Sequence, residues 1–238
     1  MAFTGFYALI GFKLSSYFNS QRYIYSSIAI GSIIPSIDII FSPIFSLLGI
    51  SGSTSSWSHS VFTIAIVALS LLALSEYKKN NIYKHVSKGL AIGMTLHLIL
   101  DCILSSESIY ILWPLPVNRV NSLFSLAGDL SFASYILDFF FIRMLAAFML
   151  NSLMETNVGH RWISVALTYL MSLQVYLCIF FTFLLVLGAS DSMMSAIFSL
   201  TSTLQLIFIV SCISLLSINF ERLYNKEKQS WIYHLTGL

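Results

Sequence analysis

Two runs near the carboxyl end, Trp162 to Leu187 and Met194 to Phe220, contain no charged side chain. A bilayer core of about 30 Å takes roughly 20 helical residues to cross, and each run is long enough. Inside hydrocarbon every backbone N–H and C=O must be paired within the protein, which leaves only helices and closed barrels. Barrel strands alternate polar and apolar residues, whereas these runs are continuously apolar, so they are expected to be helices. The rest of the chain agrees: 57% of the 238 residues are hydrophobic and 9% charged, where soluble domains carry about 25% charge. The expected fold is all-α, a polytopic transmembrane helical bundle. It is read as a single integral membrane domain over residues 1–238 of a multi-pass cell-membrane protein.

Seven spans are predicted, over about residues 2–18, 23–41, 57–75, 89–105, 130–153, 162–187 and 194–220. Pro35 should kink or end the second, because it lacks an amide hydrogen and clashes with the preceding turn. The polar Glu76–Lys88 segment is the most basic stretch and reads as a loop. Placing it in the cytoplasm puts every basic residue except Arg119 at or towards that side, so the amino terminus is expected outside and the carboxyl terminus inside. The small net charge of +2, with basic residues scattered in short loops, excludes a nucleic-acid partner. The expected partner is the lipid bilayer. Cys102, Cys178 and Cys212 all lie in apolar runs without paired spacing and read as small hydrophobes.

The chemistry concentrates on the fourth span. Gly89, Gly93, His97 and Asp101 recur every four residues and share one helix face. The glycines let a neighbouring helix approach, and the imidazole and carboxylate face the remaining space. The predicted topology brings Asp38, His59 and Asp138 to a similar depth on the extracytoplasmic side. Ionisable groups at such depth mark functional sites by default. Two imidazoles with two or three carboxylates suit zinc or another first-row divalent ion. Such an ion would activate water for hydrolysis, with a spare carboxylate as general base. Asp38, His59, His97 and Asp101 are the expected metal ligands, and Asp38 and Asp101 the expected catalytic carboxylates. His85 and His160 in basic loops, and His234 in the tail, read as solvated. Arg143, inside the fifth span, is expected to snorkel to the cytoplasmic interface.

The order Pro35-Ser-Ile-Asp38, Ser58-His59-Ser60, His97-Leu-Ile-Leu-Asp101 and Trp113-Pro114 resembles the YdjM-like family of membrane-bound metal-dependent hydrolases. The resemblance covers about residues 1–116, the motif-bearing half, while the three spans over 130–220 match only as generic apolar helices. It implies that Asp38 takes the second aspartate of the family's Pro-Asp-x-Asp motif and His59 the second histidine of its His-Arg-Gly-x-Thr-His-Ser motif. His97 and Asp101 take the helix pair. Thr4-Gly5 stands where the family's early Thr-His would be, Ser36 replaces the first aspartate, and the first histidine and arginine of the second motif are missing. If those positions face the site, Gly5→His with Ser36→Asp is expected to tighten metal binding.

The expected function is therefore a membrane-bound metal-dependent hydrolase with an extracytoplasmic site, holding a divalent metal ion, zinc in the first instance. A lipid or phosphoester substrate fits, since an amphiphile can reach such a site laterally from the outer leaflet. Two other classes compete: a catalytically degenerate relative serving as a membrane scaffold or partner, and a small transporter. Against the transporter, the ionisable groups lie off-centre and no internal repeat is visible.

Overall fold

A computed structural model describes residues 3–16, 22–37, 58–104, 111–115, 131–156 and 161–236. Among these, seven α-helices occur: α1 Thr4–Ser16, α2 Arg22–Gly31, α3 Val61–Lys78, α4 Asn81–Leu104, α5 Ser131–Thr156, α6 Arg161–Val186 and α7 Asp191–Thr236. A 3-10 turn, Ile34–Ile37, follows α2. No strand occurs among the described residues. Five helices are long and apolar enough to cross a membrane: α3, α4, and the stretches Ala133–Met154, Arg161–Val186 and Met193–Leu215 of α5, α6 and α7.

Of the first two predicted spans, the first is described as helix over Thr4–Ser16 and the second is interrupted where α2 stops at Gly31. Pro35 supplies the reason for the second: with no amide hydrogen it cannot bond the carbonyl of Gly31, where α2 stops. The loop expected over Glu76–Lys88 is also shorter than predicted. The α3 helix continues to Lys78, a turn places Lys79 in the left-handed region with φ 49°, and α4 begins at Asn81. The Asn80 side chain starts α4 by accepting the Ile82 N–H at 2.9 Å. The basic segment thus forms the first two turns of a helix. At the other end, α7 runs 46 residues, well past its apolar stretch.

Although short, α1 and α2 occupy the middle of the bundle. Against α1 lie α2, α4 and α5, and against α2 lie α1, α4 and α7. The peripheral α3 packs on α4, and α6 packs on α5. A large apolar core joins Phe12 of α1, Tyr25 and Ala29 of α2, Leu145 and Met149 of α5, Leu167 of α6 and Ile209 of α7. A second, smaller core joins Tyr135 and Phe139 of α5, Phe181 and Leu184 of α6, and Met194 and Phe198 of α7.

The α2–α4 contact is set by glycine. A Cβ on Gly89 would lie 2.6 Å from Ser27 Cβ and 2.8 Å from the Ile24 carbonyl, and one on Gly93 would meet the Ile28 carbonyl and lie 2.7 Å from Ser32 N. Only residues without a side chain allow backbones to approach this closely. That approach carries the end of α2 against His97.

Candidate metal centre

His97 projects from α4 towards the turn that follows α2. Its Nδ1 donates to the Ser32 carbonyl at 2.7 Å. A carbonyl only accepts, so the proton of a neutral His97 resides on Nδ1 and Nε2 presents a lone pair. One turn further along α4, Asp101 faces the same space. The Tyr7 hydroxyl of α1 donates to Asp101 Oδ1 at 2.5 Å, which turns Oδ2 towards the imidazoles.

His59 is brought in by the entry to α3. Ser60 caps that helix, its Oγ accepting the Phe62 N–H at 3.2 Å and donating to the Trp113 carbonyl at 2.6 Å. The free Val61 N–H is satisfied by the Ile111 carbonyl at 2.9 Å. Segment 111–115 therefore clamps the first turn of α3, and His59 sits immediately before it. Its Nδ1 lies 2.8 Å from Ser58 Oγ, which leaves Nε2 for the centre.

Three atoms converge there. Asp101 Oδ2 is 2.9 Å from His59 Nε2 and 3.2 Å from His97 Nε2, and the two nitrogens are 3.3 Å apart. All three residues are buried, at 5% exposure or less. Despite its proximity to both rings, Oδ2 takes no hydrogen bond of good geometry. In the tautomer that protonates His59 Nε2 the ring can pair with Oδ2, whereas with both Nε2 atoms unprotonated three lone pairs aim at one point and favour a cation among them. Bonds of about 2.0–2.2 Å, at angles from octahedral to tetrahedral, set adjacent ligand atoms roughly 2.9–3.5 Å apart. The observed triangle fits that range, and it is a group that could hold a metal ion.

Of the residues expected to form the shell, His59, His97 and Asp101 meet; Asp38 lies outside the described residues. Asp138, expected at the same depth, has a different task. Its Oδ1 accepts the Gly5 N–H at 2.6 Å, capping the start of α1 from α5. Arg143 is likewise not simply snorkelling: its Nη1 donates to the Met171 carbonyl of α6 at 2.8 Å.

Sequence reasoning missed Tyr7. A signal existed: a tyrosine in an apolar helix needs a partner for its hydroxyl when buried, and Tyr7 is wholly buried. Its ring also stacks edge-on against His97, with centroids 4.2 Å apart. Outer partners of metal ligands typically account for about 10–100-fold in affinity. Tyr7→Phe is accordingly expected to weaken metal binding about 10–100-fold while leaving the helical circular-dichroism spectrum intact. Unchanged affinity in a metal titration would remove Tyr7 from the site.

The expectation for Gly5 fails. A Cβ there would lie 2.6 Å from Ile142 Cγ1 and 2.7 Å from the Asp138 carbonyl, against the backbone of α5. Gly5→His is therefore expected to force α1 from α5 and lower the melting temperature, instead of tightening binding. Ser36 is fully buried, and its hydroxyl has no partner among the described residues.

The model of the YdjM inner membrane protein family matches residues 2–186. The chain belongs to this family. The match extends well past the 1–116 resemblance, taking in α5 and α6, and every residue of the buried triangle lies inside it. With its five candidate spans, this YdjM family member is a multi-pass cell-membrane protein in contact with lipid. No curated protein and no solved structure matches the chain.

Proposed function

We propose that this YdjM family member is a membrane-bound metal-dependent hydrolase whose metal shell comprises His59, His97 and Asp101, with Asp38 beside them. The observation that supports it is the convergence of three buried donor atoms at ligand spacing. Three protein ligands from imidazole and carboxylate are typical of catalytic zinc sites, which keep a position open, whereas structural sites use four. Zinc is the ion this donor set suits best. When bound, it would supply Lewis acidity and activate water near neutral pH.

The chain's own residues divide the remaining work. Tyr7 and the imidazoles engage both oxygens of Asp101, which suits it to be a ligand and leaves general-base duty to Asp38. Ser32 fixes the His97 tautomer, and Ser58 backs His59. Entry from the outer leaflet favours a phospholipid or lipid-linked phosphate as substrate. The decisive assay measures phosphate released from such lipids by zinc-loaded protein in detergent. Release that disappears in His97→Ala is the expected result. Metal-loaded protein that cleaves no phosphoester would end the hydrolase reading.

The same reading requires the amino terminus outside and the carboxyl terminus in the cytoplasm, as the distribution of lysine and arginine suggests. Ser53→Cys is expected to react with an impermeant thiol reagent on intact cells, and Asn80→Cys only after lysis. The reverse pattern overturns that orientation.

A further inference from the structure

The two apolar cores are stacked along α5, α6 and α7, yet the residues at their junction are polar. On α6, Gln174 falls between Leu170 of the larger core and Phe181 of the smaller. On α7, Ser202 and Gln205 fall between Phe198 of the smaller core and Ile209 of the larger. The two helices run in opposite directions away from one shared contact. Phe181 and Phe198 face each other across it, with ring centroids 6.3 Å apart. From that pair, seven residues back along α6 and seven forward along α7 travel the same two turns, to Gln174 and Gln205. Ser202 lies three residues before Gln205, on the same face of α7.

All three side chains are buried: Gln174 is 0% exposed, Ser202 2% and Gln205 4%. Neither the oxygen nor the nitrogen of either amide, nor the serine hydroxyl, has a hydrogen-bond partner among the described residues. Buried polar groups in native proteins are otherwise nearly always paired, and in a dry bundle five unpaired atoms would be strongly destabilising. The donor set indicates what pairs them. Two amide oxygens only accept, two amide nitrogens only donate, and the hydroxyl does both, with no net charge. A metal cation would be repelled by the nitrogens, and an anion by the oxygens. Water complements both kinds of group and commonly bridges two to four such partners.

We propose that Gln174, Ser202 and Gln205 form an internal hydration site, a layer of bound water separating the two apolar cores of the α5–α6–α7 half. It is distinct from the histidine–aspartate centre and does not depend on that centre holding metal. Two of its three residues lie on α7, beyond the stretch matched by the family.

Water-edited solid-state NMR on full-length protein in lipid bilayers, with glutamine side-chain amides labelled with nitrogen-15, tests the proposal. Sequential assignment identifies the two amides without any substitution. Rapid transfer of water magnetisation to both is expected, and in Gln174→Leu the transfer to Gln205 should be lost. Two dry amides showing a direct contact with each other would overturn the proposal, because the glutamines would then satisfy one another. Dry amides without such contact would overturn it equally.

Discussion

Elemental analysis of the detergent-purified chain, supplemented with zinc, is expected to find one bound divalent ion, and His97→Ala and Asp101→Ala are each expected to leave none. Removing either donor leaves two ligand atoms where three converge, and among the described residues no other histidine, cysteine or acidic donor joins that group. His97→Ala also frees the Ser32 carbonyl, while Asp101→Ala also frees the Tyr7 hydroxyl. His85→Ala is the control: on α4 it lies three turns before His97, about 18 Å away along the helix axis, and its loss should leave the metal in place. Metal retained at wild-type stoichiometry in His97→Ala would show that the ion binds elsewhere. Absence of metal from the wild type would favour the non-catalytic scaffold reading over the enzyme.

The second large effect is expected at Gly93. Its missing side chain is where the backbones of α2 and α4 touch, so Gly93→Val must push Ile28 and Ser32 away. Overpacking a core costs about 1–3 kcal/mol, occasionally more, and a contact with backbone has the least room to relax. The expected outcome is a loss of roughly 3 kcal/mol or more of stability, together with weakened metal binding, since Ser32 holds the His97 ring. A variant that unfolds in denaturant at the wild-type midpoint would show that the helices are not held this closely. Gly188→Ala is a useful contrast: a Cβ there meets nothing within 4 Å, and the strain comes only from its φ of +69°.

Much of this site was legible because helical periodicity is local. Gly89, Gly93, His97 and Asp101 share a face by spacing alone, and the structure places that face against the end of α2. The central place of α1 and α2 was not legible, for a physical reason. Side chains buried among other helices are as apolar as those facing lipid, so hydropathy cannot distinguish a central helix from a peripheral one. The start of α4 was missed for the opposite reason: Tyr83 to Lys88 is polar and basic, which resembles a loop although it continues a helix. Asp138 and Asp101 looked alike as carboxylates among apolar residues. What separates them is which end of α1 or which side chain reaches each, a matter of tertiary packing. The role of Tyr7 depends on the same packing and has no short-range signature.

The central position of the two short helices bears on how the protein is made. In synthesis α1 and α2 precede the other five described helices, yet most of their described side chains are buried, covered in part by helices made after them. The Gly5 amide must await Asp138 of α5, and Ser32 must await His97 of α4. These two helices are consequently seated only after α4 and α5 are made, and the donor triangle comes into being when α4 closes on them.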